Sequence, residues 1–177
     1  METNKSTIIV TRYDSPCGGL LLGCIGDALC LCDWISDRHR DRNDRRIKRL
    51  LNAEYSEGTS EALRRTAKEL DEYFAGDRRS FDIPLLLAGS AFQKSVWDAL
   101  LTIPYGETRS YAEIAKAVGN PKGVRAVAQA IGSNAISVII PCHRVIGSDR
   151  SLTGFAGGLD AKRLMLELEA KSAEDQR

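Results

Sequence analysis

The sequence lacks a long apolar run, a signal-like start and a regular cysteine spacing. No apolar segment approaches the roughly 18 residues that a membrane-spanning helix needs. The start, Met1 to Lys5, does not combine the charge, apolar run and small residues of a signal peptide. The five cysteines are odd in number and follow no disulfide framework. We therefore expect a cytoplasmic protein without a membrane segment.

Acidic residues are absent from Ile114 to Ser148, although four bases, Lys116, Lys122, Arg125 and Arg144, lie in that stretch. The net charge of the chain is only +1, which excludes a histone-like polycation. A local basic face of this kind suits a phosphate backbone. It also favours the thiolate form of a neighbouring cysteine.

A cysteine and a histidine follow a proline inside this acid-free stretch. The β-branched residues 138–140 predict a short buried strand, which Pro141 ends. Cys142 and His143 then lie where a rigid strand gives way to a loop, a common place for chemistry. The alternative is that Cys142 is a small buried hydrophobe.

The other cysteines lie in the first half of the chain. Cys30 and Cys32 are two apart, so on a strand they share one face. With Cys17, Cys24 and His39 nearby they could form a metal site, but the spacing matches no closed zinc pattern. We favour packing within strands and predict neither a metal nor a cofactor.

The first half predicts a small α/β domain. Its expected elements are a strand at 7–13, a hairpin turning at 26–27, a helix beginning at 47–51, a helix at 60–74 and an extended segment at 81–87. The mixed-charge run from Asp37 to Arg46 could be a DNA-binding arm, but its interleaved acids favour a solvated loop or helix start. We place a domain boundary before Ala88-Gly89, giving domains 1–85 and 86–177.

The second half predicts a mainly helical domain with a helix-turn-helix. Ser90 and Ser110 each begin a capping box, completed by Gln93 and Glu113. Asn120 is expected to cap a further helix that ends near residue 131. This helix is rich in small residues, so it could lie close to another surface, and Arg125 projects from it.

The last helix is expected to begin at Asp160, with Leu164, Met165 and Leu168 facing the core. Glu169 is placed near its end, where a carboxylate opposes the helix dipole. We therefore expect this carboxylate to be retained for another purpose, such as orienting the imidazole of His143.

These residues resemble the O6-alkylguanine-DNA alkyltransferases, a family of suicide DNA-repair proteins. The most specific match is the run from Pro141 to Val145. The resemblance covers roughly residues 84–170, and the first half fits the variable N-terminal, ribonuclease H-like domain of the family. Further matches are Phe92-Gln93, Val96-Trp97, Ile103-Pro104, Gly106, Ser110-Tyr111, Arg125-Ala126-Val127, Ser133-Asn134, Gly157-Gly158 and Glu169.

The resemblance implies direct, stoichiometric repair of double-stranded DNA by a monomer. The family binds the minor groove through the helix-turn-helix and flips the alkylated base into a pocket. Cys142 would accept the alkyl group from O6-alkylguanine, and O4-methylthymine is a further candidate substrate. His143 would take the thiol proton through water, and Glu169 would orient His143.

The resemblance also implies roles for the remaining site residues. Asn134 would brace the turn before the cysteine, Arg125 would fill the gap left by the flipped base, and Tyr111 would meet the base edge. The remaining implied DNA or substrate contacts are Ala126, Arg144, Ser148 and Phe155.

Three positions depart from the usual family pattern. Phe155 replaces a frequent tyrosine, Gln129 a small residue, and Ser137 a proline that some members have in the pocket. We expect these changes to alter polar tuning, the approach of the helix to DNA and the fit of benzyl groups, respectively. A non-catalytic binder of alkylated DNA, a Cys-His-Glu thiol hydrolase and a helix-turn-helix regulator are the alternative functions.

Overall fold

A computed structural model describes residues 4–36, 38 and 40–175. The strands are β1 Ser6–Ser15, β2 Gly18–Ile25, β3 Ala28–Trp34, β4 Ala53–Glu57, β5 Arg109–Ser110 and β6 Val145–Ile146. The helices are α1 Arg40–Leu51, α2 Glu61–Phe74, α3 Ala91–Leu101, α4 Tyr111–Ala117, α5 Val124–Gly132 and α6 Leu159–Glu174, with a 3-10 helix at Cys142–Arg144. A small mixed sheet with helices is followed by a helical C-terminal part, as the sequence predicted.

The N-terminal sheet has the strand order β3-β2-β1-β4. The expected hairpin joins β2 to β3 in antiparallel register and turns through Gly26, whose φ of 57° suits glycine. β4 was not predicted, because only Ala53 of its residues is buried and its pattern is polar. It forms through parallel pairing with β1, a contact that local sequence does not encode.

The expectation that Cys30 and Cys32 share one face is wrong. The register between β2 and β3 shifts at Gly23/Cys24, and this bulge leaves Cys30 between paired residues. An extra residue in one strand reverses the alternation of side chains. Cys30 therefore packs with Ile8 and Leu31, whereas Cys32 belongs to the larger core cluster.

Helix α1 includes most of the mixed-charge run and ends near the point where the sequence predicted a helix to begin. Asp37 and His39 of this region lie outside the described residues. Helix α2 begins after Ser60, whose side chain accepts the amide of Leu63, as expected. None of the helices in the described ranges is long and apolar enough to cross a membrane.

Both predicted capping boxes are present. Ser90 and Gln93 begin α3, and Ser110 and Glu113 begin α4. The following helix, α5, begins after Gly123 rather than after Asn120. The Gly123 amide bonds to the Asn120 carbonyl at 2.9 Å, so residues 120–123 form a turn that delays the helix.

The predicted strand at residues 138–140 is also wrong. These residues form a turn, and Val138 adopts a φ of 72°, which no strand accommodates. Their β-branched side chains are nevertheless buried, so these hydrophobic residues pack in the core without pairing as a β-strand. Cys142 consequently begins a 3-10 helix instead of following a strand.

The last helix differs from expectation at both ends. Asp160 lies within the first turn of α6, whose N-cap is Gly158, and Leu164 is exposed. The helix continues to Glu174, so Glu169 lies more than a turn before its end. Glu169 therefore does not oppose the helix dipole in the last turn, and its contacts must explain the carboxylate at this position.

Candidate active site

A cleft with a volume of about 1030 Å³ opens between α5, the loop after β6 and the end of the N-terminal sheet. Cys142 lies in its wall, together with Ser137 and Asn134. Its lining includes Arg38 and Arg125, and none of its lining residues within the described ranges carries a carboxylate. The cleft is therefore basic and suited to an anionic or electron-rich ligand.

The Cys142 thiol is buried, with 7% of the residue exposed. Burial raises the pKa of this thiol, and a hydrogen bond from Asn134 and the charge of Lys162 oppose the effect only in part. A nearby base, Lys162, does favour the thiolate as expected, but burial outweighs this effect in the resting site. The thiol is protonated, so its use as a nucleophile requires a base.

Asn134 holds the turn that leads to the cysteine. Its Nδ2 donates to the carbonyl of Ile140 at 3.0 Å, and its Oδ1 accepts the amide of Ile136 at 2.9 Å. The same segment is tied to β3, because the amide of Ser137 donates to the carbonyl of Cys32 at 2.8 Å. The cysteine is thus positioned from both halves of the chain.

The structure brings His143 and Glu169 together in the core. The Nε2 atom of His143 lies 2.5 Å from Oε2 of Glu169, and both side chains are almost fully buried. A carboxylate beside Nε2 fixes the proton on that nitrogen, by inference from the hydrogen bond. Nδ1 then carries the lone pair, and this buried atom has no protein hydrogen-bond partner.

The protonation of the pair follows from burial and from the surrounding donors. Burial lowers the pKa of His143, although Glu169 acts in the opposite direction, so the imidazole is neutral near pH 7. Burial alone would raise the pKa of Glu169, but hydrogen bonds from His143 and Arg144 lower it to about 2. A neutral imidazole on an ionised carboxylate can accept a proton.

Arg144 does not face the cleft, so its expected contact with DNA is wrong. The side chain is buried, and its Nε donates to Oε1 of Glu169 at 2.7 Å. Its Nη1 donates to the carbonyl of Ile103 at 2.7 Å. A buried guanidinium requires such partners, and here it neutralises the carboxylate.

Three contributors to the site were missed by sequence reasoning. The Tyr73 hydroxyl, on α2, donates to Oε2 of Glu169 at 2.6 Å, and the Gly106 amide donates to Oε1 at 3.1 Å. Lys162 is fully buried and donates to the carbonyl of Thr153 at 2.9 Å. The available signal was Tyr73 itself, since a tyrosine on the apolar face of a helix requires a partner for its hydroxyl.

The outer wall of the cleft comes from α4 and the glycine-rich loop. The Thr153 hydroxyl donates to the Tyr111 hydroxyl at 3.3 Å, and Ser148 lies exposed at the rim. Phe155 packs edge-on against Trp34 with centroids 5.9 Å apart. Gly157 is required here, because a Cβ would lie 2.5 Å from the Trp34 ring.

Helix α5 separates this cleft from a second groove. Arg125 is exposed and lines the cleft, whereas Ala126 and Gln129 are exposed and line the groove on the other side. The outer face of α5 therefore combines small side chains with one arginine, as the sequence indicated.

The remaining cysteines form no ligand cluster in the structure. Cys17, Cys24, Cys30 and Cys32 are free thiols. Within residues 4–36, 38 and 40–175, no group of three or more His, Cys, Asp or Glu side chains could hold a metal. His39, the other residue considered as a ligand, lies outside these ranges.

The fold and the site define a helix-turn-helix protein with a buried cysteine beside a His-Glu pair. Family comparison agrees: residues 8–87 match the ribonuclease-like domain of 6-O-methylguanine DNA methyltransferase. Residues 91–171 match the DNA binding domain of 6-O-methylguanine DNA methyltransferase. Together the two matches cover most of the chain.

Similar proteins extend this result over nearly the whole length. A methylated-DNA--protein-cysteine methyltransferase of Methanosarcina barkeri is 46% identical over 88% of this chain and 93% of its own. One from Haemophilus influenzae is 39% identical over 93% and 87%. A Mycobacterium tuberculosis OGT in complex with DNA superposes with a TM-score of 0.80 at 41% identity, over 94% of each chain. The chain therefore belongs to the 6-O-methylguanine DNA methyltransferase family.

Proposed function

We propose that this protein repairs DNA by transferring the alkyl group of O6-alkylguanine irreversibly to Cys142. Each molecule acts once, as a monomer and without a cofactor, because all the groups that the transfer needs come from one chain. The observation that carries the proposal is the buried Cys142 in a basic cleft, directly followed by a histidine whose Nε2 is held by Glu169.

The transfer begins with removal of the thiol proton. Nδ1 of His143 accepts it through a bridging water, because adjacent side chains point in different directions and a direct contact is awkward. Glu169 stabilises the imidazolium that forms, and Arg144 and Tyr73 hold the carboxylate in place. The charge of Lys162 stabilises the thiolate.

The thiolate then attacks the alkyl carbon. A carbon–sulfur bond forms as the bond between the carbon and O6 of guanine breaks, and the electron pair stays on the guanine. The guanine anion takes up a proton from water, which restores its normal base-pairing edge, and His143 returns the thiol proton to water, so the protons balance. The thioether on Cys142 has no route to regeneration within the site, so turnover stops after one event.

The damaged base reaches the cysteine by leaving the helix. Helix α5 enters the minor groove through its face of small residues, with Ala126 close to the backbone. Arg125 fills the gap in the base stack, Tyr111 meets the edge of the flipped base, and Phe155 and Ser148 border it. The position of Tyr111, Arg125, Ser148 and Phe155 in the wall of the cleft supports their assignments. Ala126 lines the groove on the other side of α5.

Intact-mass measurement tests the proposal. The protein is incubated with a duplex oligonucleotide that carries one O6-methylguanine, and peptide mapping locates any added mass. The expected result is one methyl group per protein, on Cys142, with no reaction after that. Absence of an adduct overturns the proposal: catalytic turnover would then indicate a hydrolase, and tight binding without transfer a non-catalytic binder.

A further inference from the structure

The second groove beside α5 is strongly basic. Its volume is about 1000 Å³, and its walls are α1, the first turn of α3 and the side of α5 that carries Ala126 and Gln129. Four arginines of α1 line it, Arg42, Arg45, Arg46 and Arg49, and no carboxylate from the part of the chain that the structure describes does. The interleaved acids of α1 therefore do not neutralise this wall.

Three of these arginines are free to bind a ligand. Arg42, Arg45 and Arg49 are exposed, and their spacing of three and four residues places them on one side of the helix. Among the described residues, none of the three has an ion-pair or hydrogen-bond partner. Asp44, by contrast, is occupied, since it accepts the Tyr55 hydroxyl at 2.6 Å and pairs with Arg40 at 3.4 Å.

The fourth arginine fixes the groove in place. Arg46 donates to the carbonyls of Ala88 at 3.0 Å and Ser133 at 2.7 Å, and its guanidinium lies 5.5 Å from the Trp97 ring centroid. These contacts join α1 to the residue that follows α5. The exposed arginines therefore keep a constant position relative to the helix proposed to enter DNA.

We propose that α1 forms a second phosphate-binding surface, on which Arg42, Arg45 and Arg49 contact the backbone of the same duplex that α5 binds. This inference rests on the proposed function. Arg42 and Arg49 are about 10 Å apart along the helix axis at 1.5 Å per residue. One DNA strand carries about three phosphates over that distance. Guanidinium groups bind phosphate oxygens in bidentate fashion, and no carboxylate among the described lining residues competes for them.

The salt dependence of duplex binding tests the inference. Each phosphate contact contributes about 0.9 to the slope of log K against log salt concentration. In the full-length protein, each single change, R42Q, R45Q or R49Q, is expected to lower the slope by about 0.9, and the triple variant by about 2.7. A matched control, R64Q/K68Q/K171Q, removes three exposed positive charges that line neither groove. This control is expected to keep the slope of the unmodified protein.

Two outcomes overturn the inference: a triple variant with an unchanged slope, and a control whose slope falls as far. The methyl-transfer rate with free O6-methylguanine base serves as the second readout, and it is expected to be equal in all variants because α1 does not contact the cleft. The proposed function fails separately, through absence of a Cys142 adduct in the unmodified protein.

Discussion

Two groups of charged residues in this protein are held in opposite ways. His143, Arg144 and Glu169 are buried and joined to one another, and every oxygen of the carboxylate is bonded. Arg42, Arg45, Arg49 and Arg125 are exposed and have no partner in the part of the chain that the structure describes. The first group lies in the core behind Cys142, and the second lies on the exposed faces of α1 and α5.

This difference in burial separates the residues proposed to act in alkyl transfer from those proposed to contact DNA. Buried charges interact strongly and are little affected by salt. Removing one partner leaves the other charge buried and unpaired, which destabilises the fold. Exposed arginines contribute little to folding but attract a polyanion in a salt-dependent manner. Substitutions in the first group should therefore change stability and transfer together. Substitutions in the second should weaken DNA binding or slow the repair of duplex DNA without changing stability.

The largest effect is expected for Glu169→Gln, which leaves the buried Arg144 without its charged partner. Breaking a buried ion pair from one side costs about 3–5 kcal/mol. We expect the free energy of unfolding in urea to fall by that order and the transfer rate to fall with it. Glu167→Gln, an exposed position on the same helix, is the control, and equal stability of the two variants would contradict the buried network.

The pH dependence of stability sharpens the same contrast. The pKa of Glu169 is about 2 in the folded protein, against an ordinary value of 4.5. The carboxylate therefore contributes fully to the free energy of unfolding above pH 4.5. This contribution, on the order of 3 kcal/mol, is lost as the pH falls towards 2. Acid unfolding followed by circular dichroism should show a smaller pH-dependent loss in Glu169→Gln than in Glu167→Gln. Parallel curves for the two variants would refute this assignment.

Substitutions of Ser137 test whether hydrogen bonds between neutral groups also stabilise the segment that leads to Cys142. Proline at this position removes the amide that donates to Cys32 and leaves a buried carbonyl unpaired, which costs about 1–3 kcal/mol. Ser137→Ala keeps the amide and removes a buried hydroxyl that has no partner, so it should not destabilise the protein. Urea titration of both variants measures the difference, and a proline variant as stable as the alanine variant would rule out the role of the amide.

The smallest effect on the folded protein is expected for Arg125→Ala. Its exposed side chain contributes little to stability, so the melting temperature should not change measurably. Repair of duplex DNA should slow by roughly tenfold, equivalent to about 1.4 kcal/mol, whereas reaction with the free base should be unaffected. Lys171→Ala is the control on α6. Equal slowing with duplex and free base would remove the base-flipping role.

Local features of the fold could be predicted from the sequence. The two capping boxes and the turn at residues 26–27 depend on neighbours within a few residues, and all three are present. The strand predicted at residues 138–140 was wrong, because buried β-branched side chains occur both in strands and in tightly packed turns. The composition of this segment thus predicted correctly that its side chains are buried, but not the conformation of its backbone.

The candidate site depended on contacts that no local pattern encodes. Tyr73 and Glu169 are far apart in sequence, and only the folded chain brings them to 2.6 Å. The family resemblance implies a DNA or substrate contact for Arg144, yet its side chain is buried and pairs with Glu169. Glu169 contacts His143 as expected. It does not lie in the last turn of α6, where the sequence placed it.

The protonation of His143 is the most direct test of the account. The chain has two histidines, so nitrogen-15 NMR of histidine-labelled protein, with a His39→Gln variant for assignment, resolves the signal of His143. We expect a neutral imidazole at pH 7 that carries its proton on Nε2, with Nδ1 unprotonated. A proton on Nδ1, or an imidazolium at that pH, would contradict the proposal that His143 accepts the proton of Cys142.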